Sequence, residues 1–280
     1  MRIVKRVVEM QIACRELRAG GASIGFVPTM GALHEGHLSL VRQAREQCGA
    51  VVASIFVNPL QFGPNEDLAK YPRTFAEDCR RLEGEGVEVL FAPEVGEMYP
   101  EGAVTTVTVA GIGDRLDGAS RPGHFTGVAT VVTKLFHAVG SCRAFFGLKD
   151  AAQVAVLRQM VKDLNFDVEI VGCAIVRDAD GLALSSRNAY LSTEERRQAL
   201  VLRRVLVEME RGVAGGERES VALIDRGMKV LATEPGVRVD YLAVVDAGTL
   251  LPVELASAGT LMAVAAYVGK TRLIDNFLVG

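Results

Sequence analysis

Residues 50–57, AVVASIFV, carry no charge and a single hydroxyl, Ser54. A strand with one wet face alternates polar and apolar residues, whereas one that is apolar and β-branched throughout is covered on both faces. Similar short runs recur at 23–27 (SIGFV, ending at Pro28), 87–93 (VEVLFAP), 142–147 (CRAFFG) and 167–176 (DVEIVGCAIV). Between them lie stretches of helical period. HLSLVRQAREQC (37–48) spaces Leu38, Val41 and Ala44 on one side, TFAEDCRRLEGEG (74–86) closes on glycine, and AAQVAVLRQMVKDL (151–164) precedes the last run. Strands alternating with helices predict an α/β fold, a doubly wound (Rossmann-like) parallel sheet over residues 1–176. In such sheets ligands bind beyond the carboxyl ends of the strands.

The texture changes after Val176. RDADGLALSSRN holds a turn at Asp180-Gly181, and Ser192 with Glu195 forms a capping-box pattern that opens a helix running to about Gly212. A break at Gly215-Gly216, a helix near 217–232 and the strands VDYLAVVD and TLMAVAAYV follow. Residues 177–280 are expected to form a smaller α+β C-terminal domain.

Composition narrows the function. The 280 residues are 23% charged with a net charge of −3, which gives no basic face for nucleic acid. The five cysteines, Cys14, Cys48, Cys79, Cys142 and Cys173, are widely spaced and odd in number, so a disulfide framework or zinc knuckle is not expected. MRIVKRVVEMQIACREL mixes charge through its apolar residues and does not read as a signal peptide, and GTLMAVAAYVG is too short to cross a bilayer as a helix. The expectation is a cytoplasmic protein without membrane or nucleic-acid partners.

The chemistry concentrates after the first strand, in PTMGALHEGHLSL (28–40). His34 and His37 sit at a helix start, where unpaired N–H groups and the helix dipole suit a phosphate. Gly31 and Gly36 allow close approach of backbone or ligand. Zinc is an alternative, but HExxH has one more residue between its histidines and needs a third ligand. Two ordinary solvent-facing histidines are the plain alternative. Downstream, LALSSRN (182–188) offers the hydroxyls of Ser185 and Ser186 and the planar fork of Arg187. NPLQFGPNED places Asn58 and Gln61 at the carboxyl end of the 50–57 strand, where a neutral amide can hold a hydroxyl or carboxylate without adding charge. FFGLKDAAQ repeats the strand–turn–helix design with Lys149 projecting from the turn, and Asp150 could cap the helix that follows.

HxGH followed by LSSR resembles the HIGH and KMSKS motifs of class I nucleotidyltransferases, although Leu184 and Arg187 stand where that loop carries methionine and lysine. FVPTMGALHEGHLSLV, SIFVNPLQFGPNEDLAKYPRT, RPGHFTGVATVVTKLF, FFGLKDAAQ, VRDADGLALSSRNAYL, VDYLAVVD and GKTRLIDN together resemble one family of that superfamily, the pantoate–β-alanine ligases, in order along nearly the whole chain. The resemblance implies an AMP-forming carbon–nitrogen ligase of pantothenate biosynthesis. ATP and (R)-pantoate would give pantoyl adenylate, which β-alanine converts to pantothenate; the enzyme would use Mg²⁺ with ATP and act as a homodimer. It implies His34, His37, Lys149 and Arg187 as catalytic residues. Met30, Gly31, Ala32, Leu33, His34, Glu35, Gly36 and His37 would meet ATP, as would Gly147, Leu148, Lys149, Asp150, Val176, Leu184, Ser185, Ser186 and Arg187. Gln61, Gln153, Asn58 and Arg121 would hold substrate, with a loop-stabilising role for Arg121 nearly as sound. His37 is assigned as a proton donor in the family, but a charge-stabilising role is physically as sound. Glu77 and Asp78 lie near a plausible Mg²⁺ position without being assigned to it.

The small domain would close over ATP, because Arg187 lies just past the domain boundary. AVTTVTVAG, read as an exposed strand edge, is a candidate dimer surface. GKT at 269–271 lacks the glycine a Walker loop needs at 264 and is expected to be a turn. The competing function is a related nucleotidyltransferase acting on a phosphate substrate; a non-catalytic binding protein would leave the paired motifs unexplained.

Overall fold

Strand Ala50–Ile55 is buried along nearly its whole length, as an all-apolar run requires. It lies third in a six-stranded parallel sheet. The computed structural model describes residues 1–64, 66 and 68–280; Asn65 and Asp67 of the NPLQFGPNED stretch lie outside it. The first strands and helices are β1 (Arg2–Val4), α1 (Val7–Ala19), β2 (Ile24–Thr29), α2 (Glu35–Gln47), β3 (Ala50–Ile55), α3 (Phe75–Gly84) and β4 (Val89–Phe91). They are followed by α4 (Val95–Met98), α5 (Asp117–Ser120), α6 (His124–Val139), β5 (Cys142–Gly147), α7 (Ala151–Asp163) and β6 (Val168–Cys173).

The strand order is β1-β4-β3-β2-β5-β6. Succession runs outward in opposite directions from the β2–β5 pair, so a crevice opens beyond the carboxyl ends of those strands. The loops after β2, β3 and β5 hold PTMGALHEGH, NPLQ and GLKD. Leu40, Val41 and Ala44 of α2 pack with Val51, Ala53, Leu82 and Phe145 in one core cluster.

The chain divides into two compact units, Met1–Leu148 with Val156–Ala174, and Lys149–Ala155 with Ile175–Gly280. The second contains α8 (Thr193–Ala199), α9 (Val201–Ala214), α10 (Ser220–Leu231) and an antiparallel sheet of β7 (Val237–Asp246), β8 (Thr260–Val268) and β9 (Thr271–Leu278). Leu202, Val205, Leu206 and Met209 of α9 pack on Met262, Val264 and Ala266 of β8. The capping box at Ser192 and Glu195 forms, but the helix it opens stops at Ala199 before α9 begins. Gly269-Lys270 is the two-residue link of the β8–β9 hairpin, with Gly269 at φ +57°, so GKT is a turn.

AVTTVTVAG forms no strand. Its alternating Val and Thr have the intrinsic preference, but none of the described strands pairs with it. The segment instead runs extended past α6, where Val107 N donates to Thr130 Oγ1 at 2.9 Å and Val104 is 91% exposed. No described helix is long and apolar enough to cross a membrane.

Candidate active site

The loop after β2 turns through Gly31 at φ +80° and Ala32 at φ +49°. A left-handed alanine costs free energy, so something must hold it. Asp78 does: its Oδ2 accepts from Ala32 N at 3.0 Å and its Oδ1 from Leu33 N at 2.9 Å. Thr74 Oγ1 donates to the same carboxylate, and Arg81 Nη1 donates to Leu33 O at 2.8 Å. Residues 74, 78 and 81 fall on one side of α3 by helical period. Asp78 is 1% exposed and committed to this loop, while Glu77 pairs with Arg80 and Arg81 on the surface. Among the described residues no cluster of three or more His, Cys, Asp or Glu could hold a metal.

Helix α2 starts at Glu35, two residues earlier than its sequence period suggests, with His34 as its N-cap. His34 Nδ1 accepts from Gly36 N at 3.2 Å, and His37 Nδ1 accepts from His34 N at 3.3 Å. The rings lie 4.1 Å apart between centroids. A nitrogen that accepts a hydrogen bond carries no proton, so each neutral ring has its N–H at Nε2. The capping geometry thus selects one tautomer for both histidines. Glu35, the first residue of α2, is engaged by Arg42, which holds its carboxyl below the usual range.

Beyond β3, Asn58 is 1% exposed and has four protein partners. Its Nδ2 donates to Gly127 O at 3.0 Å and Gln61 Oε1 at 3.2 Å, while Oδ1 accepts from Leu60 N at 3.3 Å and Tyr99 OH at 2.8 Å. These bonds set the Asn58 amide behind Gln61, whose side-chain oxygen it holds. Gln61 Nε2 donates to Met30 Sδ at 2.9 Å, bringing the β2 and β3 loops together. Helix α6 approaches so closely that a Cβ on Gly127 would lie 2.2 Å from Leu60 O.

Arg121 is likewise engaged. Its guanidinium grips Glu66 through Nε at 2.7 Å and Nη2 at 2.6 Å, donates to Gln61 O at 3.2 Å and meets His124 Nε2 at 3.0 Å. Of the two roles its sequence suggested, these bonds are those of a loop-holding residue. Burial acts to raise the Glu66 carboxyl, but the Arg121 guanidinium outweighs it and the net shift is downward. His124 Nδ1 donates to Gln61 O at 2.8 Å. Burial, reinforced by the Arg121 charge, pushes His124 from 6.5 down to about 4.

That shift predicts an acid weakness. Above pH 6.5 the ring is neutral in both folded and unfolded chains. Between 6.5 and about 4 only the unfolded chain takes the proton, so stability falls by about 3 kcal/mol across that window. Denaturant titrations at pH 7 and pH 4 should show the wild type losing about that much more than His124→Asn. Equal losses would remove His124 from the account.

The second unit carries the other motifs. Lys149 and Asp150 lie in the single 3-10 turn Leu148–Asp150 that leads into α7, with Lys149 Nζ 3.5 Å from Asp150 Oδ1. Gln153 is half-buried in the first turn of α7. Leu184 N donates to Val176 O at 3.0 Å, and Arg177 bridges Ala183, so 176–184 forms a small hairpin. Ser185 Oγ accepts from Arg187 N at 3.3 Å and caps the 3-10 turn Ser186–Tyr190. Asn188 Nδ2 donates to Ala183 O at 3.0 Å. Within this unit Arg177 pairs with Asp275 on β9, and Asn276 Nδ2 donates to Lys149 O at 2.9 Å. Both close the family-like stretch GKTRLIDN, which by itself gives neither residue a role. The sequence hint is two successive polar residues, Asp275-Asn276, inside an apolar strand.

Residues 2–278 match the family model described as Pantoate-beta-alanine ligase. A protein of Acidobacterium capsulatum named pantothenate synthetase is 63% identical over an alignment covering 100% of this chain and 97% of that one. Its namesake from Thermotoga neapolitana is 53% identical with 100% of both chains covered. The crystal structure of pantothenate synthetase from Thermus thermophilus superposes with a TM-score of 0.94 at 50% identity, covering 99% of each chain. Pantoate-beta-alanine ligase from Francisella tularensis, complexed with beta-gamma ATP and beta-alanine, matches at a TM-score of 0.81 and 33% identity over 100% of this chain and 99% of that one. The likeness runs the length of both units, in sequence and in fold: this chain belongs to the pantoate–β-alanine ligase family.

Proposed function

We propose that this chain joins (R)-pantoate to β-alanine with ATP, forming pantothenate, AMP and pyrophosphate through pantoyl adenylate. The observation that carries the reading is the pair of histidines at the start of α2, both fixed as Nε2–H tautomers by backbone donors. The pantoate carboxylate is ionised at neutral pH and needs no base. Its oxygen bonds to the α-phosphorus while the bond to the β-phosphate oxygen breaks. What such a step requires is alignment and donors for the oxygens on which charge builds. His34 and His37 supply neutral donors, and Lys149 and Arg187 supply cations with the hydroxyls of Ser185 and Ser186. The amine of β-alanine then attacks the acyl carbon, AMP leaves, and the amine gives up a proton to solvent.

Protonating His37 at Nδ1 would set that N–H against the N–H of His34, which now donates to it. This favours a neutral charge-stabilising donor over a proton donor. Mg²⁺ enters as part of the substrate, on the phosphates of ATP, where it keeps several waters. Gln61 and Gln153 hold pantoate, and Asn58 and Arg121 act behind Gln61. The homodimer and the cytoplasmic location belong to the same proposal. All five thiols are unpaired, as a reducing compartment requires.

The test is AMP formation with Mg²⁺ and ATP, with pantoate and β-alanine added singly and together. AMP should require both acids; nucleotide transfer to a phosphate acceptor instead would support the related nucleotidyltransferase. Gln61→Ala should raise the pantoate KM by roughly 10- to 100-fold, as loss of a hydrogen bond to a charged group does, with the ATP KM within about twofold. Matching losses for both substrates would place the defect in the fold.

A further inference from the structure

The last strand of the chain carries a polar pair that its own sheet does not need. Asp275 is 4% exposed and Asn276 is 7% exposed. β9 is an edge strand whose flanking residues pair only with β8. A buried ion pair seldom stabilises more than a well-packed apolar pair of similar volume, and its best-attested use is to fix one arrangement among several. The partners here show what is fixed. Asp275 Oδ2 and Oδ1 accept from Arg177 Nη1 and Nη2 at 2.7 and 2.9 Å, a two-pronged contact. Arg177 Nη1 also donates to Gly181 O at 3.1 Å, so the guanidinium ties β9 to the hairpin that leads into Ser185–Arg187. The next residue reaches the other motif: Asn276 Nδ2 donates to Lys149 O at 2.9 Å. Asp275 Oδ1 accepts from Asn276 N at 2.8 Å and links the two contacts.

We propose that Asp275 and Asn276 are positioning residues for nucleotide binding, setting the Lys149 turn and the Ser185–Arg187 turn in one frame. The inference rests on the reading that Lys149 and Arg187 meet the phosphates of ATP. Two cations brought by turns far apart in sequence can serve one triphosphate only if their spacing is fixed before it binds. Consecutive residues of one strand give that spacing with one rigid element. Asn276 secures a main-chain carbonyl, so it orients the turn without competing for the Lys149 ammonium.

The test is Asn276→Leu, which keeps the branching and heavy-atom count and removes the donor, beside Lys149→Ala and the double variant. The ATP KM should rise roughly 5- to 10-fold in Asn276→Leu, the scale of one buried hydrogen bond. Pantoate-dependent ATP–pyrophosphate exchange should slow, while the pantoate KM and the reaction of supplied pantoyl adenylate with β-alanine stay within about twofold. The double variant should lose less than the product of the two single losses, because both act through one turn. An unchanged ATP KM in Asn276→Leu would overturn the proposal, as would an equal fall in both half-reactions, which marks a general folding defect. If Lys149→Ala leaves the ATP KM and exchange unchanged, the nucleotide reading fails. If Lys149→Ala is crippled and Asn276→Leu is normal, only the positioning role falls.

Discussion

Replacing His37 with alanine is expected to slow pantoate-dependent ATP–pyrophosphate exchange by about 10²- to 10³-fold, the usual loss on removing one donor aimed at developing charge. Stability should change little, because His37 is only half-buried and lies at the very start of α2. The tautomer argument sharpens the test. His37→Gln places an amide N–H near the imidazole Nε2 position and cannot act as an acid. It should therefore keep substantially more exchange activity than His37→Ala. If Gln and Ala are equally slow, and exchange in the wild type falls as pH rises through the range where imidazole deprotonates, proton transfer by His37 is the better account.

The second large effect falls on Asp78. Asp78→Ala leaves the N–H groups of Ala32 and Leu33 without their acceptor in a loop where Leu33 is buried and Ala32 is left-handed. A buried donor without a partner costs about 1–3 kcal/mol and the half-buried Ala32 N–H less, so a loss of about 3 kcal/mol in unfolding free energy is expected. Denaturant melts of Asp78→Ala and of Asp78→Ala with Ala32→Gly would check the cause. Glycine tolerates the left-handed conformation, so the double variant should recover part of the loss. A single-variant loss under about 1 kcal/mol would mean that the carboxylate does not hold the loop.

What could be read from the sequence was local. The all-apolar run of β3 announced a sheet covered on both faces, and the turn chemistry of PTMGALHEGH placed the histidines at the start of α2. The family motifs likewise stand in single stretches. What stayed hidden was pairing across the chain. Asp78 and Leu33 are 45 positions apart, Glu66 and Arg121 55, Arg177 and Asp275 98, and Lys149 and Asn276 127. A loop-stabilising role for Arg121 could be weighed from the sequence, but its partner Glu66 could not be named. Helix α6 escaped for another reason: most of its residues are buried, and its narrow polar stripe is made largely of threonines, which suit strands as well. The strand reading of 103–111 failed in the opposite direction, since local strand preference alone did not pair the segment with any described strand.

Asn58 has one more property, which concerns chemical ageing. An asparagine usually deamidates when the next residue's backbone nitrogen attacks its side-chain carbonyl, and that attack needs a nitrogen with a hydrogen to lose. Residue 59 is proline, whose nitrogen has none. The side-chain carbonyl is also engaged by the Leu60 N–H and the Tyr99 hydroxyl in a site closed to water. Conversion to aspartate would remove the two N–H groups that orient Gln61 and hold Gly127, and would put a charge into a buried position. The residue behind Gln61 is thus protected from this route of spontaneous damage by the same Asn-Pro step that starts the turn.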